Sequence, residues 1–150
     1  MNRIRLNRLI IAGLATFLVF IAIELVWEGL IGAHILRNAM SALRSYPSLS
    51  HWRILNQAFN LAIGLGNCFM LIWLYASLRP MFGVGSRTAL IASAFMFAFI
   101  FAFGLNLTNM GVIPLRLTLL DALNLIIELP LALVAGAQVY ESGRWSSSAA

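Results

Sequence analysis

Six polar residues stand inside long apolar stretches of this chain, and their types and spacing could support the binding of a cation or a proton. They form three pairs: Glu24 and Glu28, Asn60 and Asn67, and Asp121 and Glu128. Residues four or seven positions apart lie on one face of a helix, so each pair would present both side chains to the same neighbour. Oxygen-only ligands of this kind suit hard cations.

The composition indicates an integral membrane protein. Of the 150 residues, 61% are hydrophobic and only 10% are charged, whereas soluble domains carry roughly 25% charged residues. Four stretches approach or exceed the ~20 apolar residues that cross a bilayer. All ten basic residues are arginine and stand at the ends of these stretches, where arginine anchors to lipid headgroups. The net charge of +5 therefore indicates membrane flanks and no nucleic-acid partner.

The apolar stretches predict an all-α fold with four transmembrane helices in a single domain. The expected spans are residues 9–35, 54–78, 88–111 and 115–139, followed by a polar tail over 141–150. Residues 36–44 alternate apolar and polar side chains at helical spacing, which predicts a short amphipathic segment on the membrane surface after helix 1. The short connections favour an up-down, antiparallel four-helix bundle.

One face of the third span is expected to pack closely against a neighbouring helix. Ala94, Ala98 and Ala102 recur at four-residue spacing, and stripes of small residues let helices approach closely in lipid. The phenylalanines of this span would then cover its other faces.

The distribution of arginines predicts the orientation. Six lie on the side of the N-terminus and four on the opposite side. The arginine-rich side of a membrane protein usually faces the cytoplasm, so both termini are predicted to be cytoplasmic. Because the excess is only two arginines, the inverted topology and an antiparallel dimer remain open.

Three of the polar residues are predicted to share a layer near the middle of the membrane. At ~1.5 Å per residue, Glu24 lies about 16 Å from the end of its span, and Asn67 and Glu128 lie about 19 Å from the ends of theirs. These distances are measured from the side opposite the N-terminus. Glu24 and Glu128 would be the central ligands or proton carriers, with Asn67 as a neutral ligand.

A second, outer layer is predicted about 9–10 Å from the same membrane side. Glu28 and Asp121 would form its acidic entrance, with Asn60 as a neutral ligand. Asn106 is a further candidate for this layer, and Asn124 lies near the face that carries the acidic residues of the fourth span.

Ionised carboxylates at these depths need compensation. Each costs ~2.5–3.5 kcal/mol at a helix centre, and no Arg, Lys or His stands at their level in the sequence. They could be protonated and hydrogen-bonded, they could line a hydrated cavity, or they could hold a metal ion or an organic ammonium. The same groups could also serve only to hold the helices together through interhelical hydrogen bonds, each worth ~0.6–2 kcal/mol.

Two functional hypotheses follow. The first is a small transporter-like membrane protein that binds or conducts a proton or a cation at its carboxylates. The second is a non-catalytic scaffold or an accessory subunit of a membrane complex. No nucleophile–base pair and no cofactor motif indicates an enzyme, and no resident cofactor is expected. The expected partners are the lipid bilayer, a proton or cation of unknown identity, and a second copy of the chain or a subunit of a membrane complex.

Several motifs resemble those of a group of uncharacterised bacterial membrane proteins with four predicted helices. They are the segment Trp73–Pro80, the glycines Gly83 and Gly85, and the mid-membrane Glu128 of the last helix. A glutamate in the first helix, which is Glu24 in this chain, is similar too. The resemblance implies the four-helix fold, agrees with a location in the bacterial inner membrane, and implies no known activity.

Overall fold

Four helices form the structure, a computed structural model that describes residues 6–27, 29 and 53–142. They are α1 (Leu6–Trp27), α2 (Arg53–Phe82), α3 (Ser86–Asn109) and α4 (Leu115–Ser142). Each contains a stretch long and apolar enough to cross a membrane. The predicted all-α fold with four spans is therefore confirmed. Glu28 and residues 30–35 of the first predicted span, the amphipathic segment 36–44 and residues 143–150 of the tail lie outside the described residues.

A glycine turn joins α2 to α3. Gly83 and Gly85 have φ angles of 86° and 117°, which glycine adopts without the steric cost that a side chain would add. The Thr88 hydroxyl donates a hydrogen bond of 2.7 Å to the Gly83 carbonyl, so the turn is tied to the first turn of α3. We call the side of the membrane where this turn lies the turn face, and the opposite side the far face.

A Schellman motif ends α3 at the far face. Gly111 has a φ angle of 75°. Its N–H donates a hydrogen bond of 2.9 Å to the Thr108 carbonyl, and the Val112 N–H donates one of 3.0 Å to the Leu107 carbonyl. These two bonds satisfy carbonyls that the end of a helix would otherwise leave free. Pro114 follows, and α4 begins at the next residue.

The helices run up and down, and each packs against its neighbours in the chain. α4 also packs against α1, which closes the ring, and it contacts α2 less extensively across the bundle. Gly136 of α4 lies against Thr16 of α1, while Asn124, twelve residues earlier on α4, bonds Glu24, eight residues later on α1. Thr108 near the end of α3 bonds Thr118 near the start of α4 at 2.7 Å. These contacts require antiparallel helices. α4 is the most buried of the four.

Small residues bring α1 and α4 together. A Cβ atom on Gly136 would overlap the Thr16 hydroxyl and would stand 3.1 Å from the Ala12 carbonyl oxygen. The Thr16 hydroxyl donates to that same carbonyl at 2.9 Å, so its polar group is satisfied within α1. Small side chains at such crossings are typical of helix pairs in membranes.

The predicted packing face of α3 is wrong. Ala94, Ala98 and Ala102 are exposed, and the buried face of α3 instead consists of Thr88, Ala89, Ala92, Ser93 and Met96. The sequence contains small residues on both faces of this helix, and spacing alone does not show which face meets the neighbouring helices. In the structure, the neighbouring helices cover the face that contains Thr88, Ala89 and Ala92 and leave the Ala94 face exposed.

Burial is distributed unevenly along the bundle. In α1, α2 and α3, every residue described as buried lies in the half next to the turn face, and only α4 is buried along both halves. We call residues 6–23, 68–82, 86–96 and 128–142 the turn half, and residues 24–27, 58–67, 97–109 and 115–127 the far half. The turn half contains a core of fully buried side chains that includes Leu71, Ile72, Tyr75, Leu129 and Leu133.

Candidate functional site

Two glutamates from different helices meet at one asparagine near the middle of the bundle. The side-chain amide nitrogen of Asn124 donates to Glu24 Oε2 at 2.9 Å and to Glu128 Oε2 at 3.0 Å. Asn124 and Glu128 are one helical turn apart on α4, and the antiparallel α1 brings Glu24 to the same level. We call these three residues the carboxyl cluster.

The carboxyl cluster is buried, and it lies at the boundary between the two halves. Glu128 is 1% exposed and Asn124 is 3% exposed, while Glu24 is half-buried. Because both glutamate oxygens bond the same nitrogen, they lie within about 6 Å of each other. The other carboxyl oxygen of Glu128, Oε1, is buried and has no hydrogen-bond partner in the described part of the chain.

No basic side chain of the described helices stands at this level. Along α4, Arg116 is twelve residues before Glu128, and Glu141, which pairs with Arg79, is thirteen residues after it. At ~1.5 Å per residue these groups are about 18 Å and 20 Å away along the helix axis. Glu24 and Glu128 therefore share one neutral donor, and the basic side chains of the described part of α4 and its partner α2 lie towards the two membrane faces.

α2 contributes two side chains near the carboxyl cluster. Cys68 is fully buried and lies close enough to the Glu128 carboxyl for the two groups to interact electrostatically. Asn67, predicted as a neutral ligand, is half-buried at the preceding position. Among the described residues, no hydrogen bond joins Asn67 to the cluster.

The structure does not bring the predicted outer layer into the interior. Asp121, Asn60 and Asn106 are exposed, and Glu28 lies outside the described residues. All six residues from Ala58 to Ile63 are exposed, and they occupy every face of α2. Asn60 is therefore exposed because of its position in the far half of the bundle and not because of the helix face on which it lies. Asp121 shares a helix face with Glu128 and stands close enough to it for an electrostatic interaction, although Asp121 itself is exposed.

A second polar cluster lies at the turn face. The Arg79 Nε atom is 3.0 Å from Glu141 Oε1, and the Tyr75 hydroxyl donates to the same oxygen at 3.2 Å. The Gly85 N–H donates to the Tyr75 hydroxyl oxygen at 3.2 Å, and the Arg79 guanidinium stands 5.8 Å from the centre of the Tyr140 ring. We call these five residues the turn-face cluster. It connects the ends of α2 and α4 to the start of α3.

Sequence reasoning missed the turn-face cluster because it ended the fourth span at residue 139 and assigned Glu141 to the polar tail. α4 in fact continues to Ser142, which places Glu141 beside Arg79. A signal was present: the two residues stand at the ends of two spans that reach the same membrane face. The bridging position of Asn124 was also missed, although its place near the acidic face of α4 was recognised.

The carboxyl cluster combines two acids with one neutral donor. Two carboxyl groups that share a site interact unfavourably when both are ionised, so one of them retains a proton more readily. Among residues 6–27, 29 and 53–142, no group of three or more His, Cys, Asp or Glu side chains is arranged to hold a metal ion.

The described helices and the carboxyl cluster characterise a multi-pass membrane protein with a polar site in its interior. No protein-family model matches the chain, and no curated protein and no solved structure is significantly similar to it.

Proposed function

We propose that this membrane protein binds a proton at the Glu24–Asn124–Glu128 cluster and passes protons, or a small cation in their place, through the bundle. One observation carries the proposal: two carboxyl groups share a single buried amide, and Glu128 Oε1 is buried without a hydrogen-bond partner in the described part of the chain. That oxygen is an acceptor available to a proton or a water molecule.

Energetics favour a proton on this pair. Two unit charges about 6 Å apart repel each other by about 3 kcal/mol at an effective dielectric constant of about 20. Each ionised carboxylate would add ~2.5–3.5 kcal/mol for its position in the membrane. A single proton removes the repulsion and one of the two membrane costs. The pair is thus expected to carry at most one negative charge.

The orientation of the amide favours a proton over a metal cation. Asn124 directs its N–H groups at both carboxyl groups, and these positive hydrogens would repel a cation bound between the carboxylates. A cation would require the amide to turn over so that its oxygen becomes a ligand. An ionised carboxylate and the C=O of a protonated carboxyl group both offer an acceptor oxygen to an amide N–H, so this orientation is compatible with a proton on the pair.

A scaffold or accessory subunit is the second candidate, and the same bridge favours it. Asn124 joins α1 to α4 through Glu24, and interhelical bonds of this type are worth ~0.6–2 kcal/mol. In this case the carboxyl groups would fix the helix pairing and would exchange nothing with water. A second copy of the chain or another membrane protein would then be the functional partner.

Location and orientation belong to the same proposal. The arginine count supports a cytoplasmic turn face, with the N- and C-termini on that side. The resemblance to four-helix bacterial proteins supports the inner membrane of a bacterium.

Proton flux through reconstituted protein tests the proposal. The purified chain is placed in liposomes that contain a pH-sensitive dye, and an outward potassium gradient with valinomycin drives proton entry. We expect flux with the unmodified chain and its loss in Glu24→Gln and Glu128→Gln, because glutamine keeps the size and a donor but cannot release a proton. The matched control, Glu141→Gln, changes the ion-paired glutamate of the same helix and should retain flux.

Two results would contradict the proposal. Undiminished flux in Glu128→Gln would show that protons do not use this carboxyl group. No flux and no cation binding in the unmodified, folded protein would favour the scaffold.

A further inference from the structure

The two sides of the carboxyl cluster differ in packing. Towards the turn face, Leu71 and Ile72 of α2 and Leu129 and Leu133 of α4 are at most 1% exposed. They form an apolar layer directly beyond Glu128. Because buried apolar side chains offer water no hydrogen-bond partners, such a layer is a barrier to protons and ions.

The turn-face cluster covers this apolar layer. The fully buried Tyr75 side chain stands between the apolar layer and Glu141, and its ring packs edge-on against Tyr140 with centroids 6.2 Å apart. The Arg79–Glu141 ion pair fixes the ends of α2 and α4 around it. Movement of water through this side would require several buried contacts to separate together.

Towards the far face, the cluster borders a less buried region. Glu24 is half-buried, and α1, α2 and α3 have no residue classed as buried among their described far-half positions. Asp121 stands two helical turns from Glu128 on the same side of α4, about 10 Å along the axis. Its carboxyl group is the exposed acidic group nearest to the cluster along α4.

We propose that, in this conformation of the bundle, water and protons reach the Glu24–Asn124–Glu128 cluster from the far face alone, with Asp121 as the acidic group along the route. The packed turn half closes the other side and would have to open for a proton to leave the bundle there. The inference rests on the proposed proton site and adds its sidedness. The titratable groups that face Glu128 are Glu24 of α1, Cys68 of α2 and Asp121 of α4. Among the described residues of α3, Arg87 alone is charged, and it lies at the turn face. With a cytoplasmic turn face, the route opens to the outside of the cell.

Cysteine accessibility in sealed liposomes tests the sidedness. In a Cys68→Ala background, single cysteines replace Glu24 at the cluster and Ala132 in the apolar layer. A charged, membrane-impermeant thiosulfonate is added outside the vesicles or trapped inside them. Exposed reference cysteines at Ser86 and Met110 report which side is the turn face and which is the far face in each preparation.

We expect Glu24→Cys to react from the far face at least tenfold faster than from the turn face, and Ala132→Cys to react from neither. Asn67→Cys, at a half-buried position of the far half, repeats the test if Glu24→Cys does not fold. Reaction of either far-half cysteine from the turn face, or from neither face while Met110→Cys reacts, overturns one-sided access.

The labelling and flux experiments can contradict the two proposals separately. Labelling from the far face without proton flux in the unmodified protein keeps the water route and contradicts the proposed function. Flux that depends on Glu128, together with equal labelling from both faces, keeps the proposed function and overturns the sidedness.

Discussion

Glu128 and Glu141 lie on the same helix, thirteen residues apart, yet their surroundings differ completely. Glu141 at the turn face accepts bonds from Arg79 and Tyr75, so its negative charge is compensated. Glu128 in the interior meets Glu24, a second acid, and shares with it the neutral amide of Asn124. The first environment stabilises an ionised carboxylate, whereas we propose that the second holds a proton.

The comparison shows that burial by itself does not identify a functional acid in a membrane protein. Glu141 is 81% buried by side-chain area, since only 19% is exposed, but an arginine at the membrane interface balances it. Glu128 differs in two ways. No basic side chain of the described helices lies at its level, and its buried Oε1 atom has no hydrogen-bond partner in the described part of the chain. A substitution should therefore affect stability in the turn half and proton chemistry at the carboxyl cluster.

The largest loss of stability is expected from Gly136→Val in the turn half. The new side chain would overlap the Thr16 hydroxyl and press on the Ala12 carbonyl, and overpacking of this kind costs about 3 kcal/mol or more where the backbone must move. The free energy of unfolding in mixed micelles measures the loss. Gly66→Val is the matched control, because a Cβ there meets no atom within 4 Å. Equal stability of the two variants would contradict the close α1–α4 crossing.

Leu133→Ala should cost less, about 2 kcal/mol, because it leaves a cavity in the apolar layer of the turn half. The cost lies at the low end of the range for soluble cores, since lipid and protein interior are similarly apolar. Leu131→Ala is the control, because Leu131 is 55% exposed. A comparable loss in both variants, measured in the same micelles, would argue against a packed turn half.

Arg79→Ala should lower stability by about 1–2 kcal/mol, because Glu141 loses its charged partner and the Tyr140 ring loses its cation. Arg87→Ala, an exposed arginine at the start of α3, should change stability by less than about 0.5 kcal/mol. A double variant with Glu141→Gln should recover part of the loss. Without any recovery, the ion pair would not be the source of the effect.

Glu128→Gln should have the smallest effect on stability, less than about 1 kcal/mol, because glutamine resembles a protonated glutamate in size and polarity. Asn124→Leu should cost more, since it removes the donor that both carboxyl groups share. Unfolding in mixed micelles at neutral pH compares the two variants. A larger loss in Glu128→Gln than in Asn124→Leu would indicate that the native site depends on an ionised Glu128.

The positions of the helices could be predicted from the sequence more accurately than the contacts between their side chains. Apolar run length determines a membrane span, and the described part of each predicted span is a helix. Depth along the helix axis placed Glu24 and Glu128 in one layer, and the structure joins them through Asn124. The exposure of Asp121 could not be predicted from its depth or its helix face. It shares a face with the buried Glu128, but it lies in the far half, where the described residues of α1, α2 and α3 are less buried.

Helix rotation and helix ends were the other sources of error. Ala94 and Ala89 both belong to small-residue stripes on α3, and only the packing of α2 and α4 shows that the Ala89 side is buried. Glu141 was assigned to a tail because a polar residue after an apolar run normally marks the end of a span. Its partner Arg79 is sixty-two residues away in sequence, so local patterns did not reveal the pair.

Infrared spectroscopy of the reconstituted protein tests most directly whether the carboxyl cluster holds a proton. A protonated carboxyl group has a C=O stretching band that is separate from the carboxylate bands. At neutral pH we expect this band in the unmodified protein and in Glu141→Gln, and its loss in the double variant Glu24→Gln with Glu128→Gln. A band that persists in the folded double variant, or is absent from the unmodified protein, would contradict a shared proton between Glu24 and Glu128.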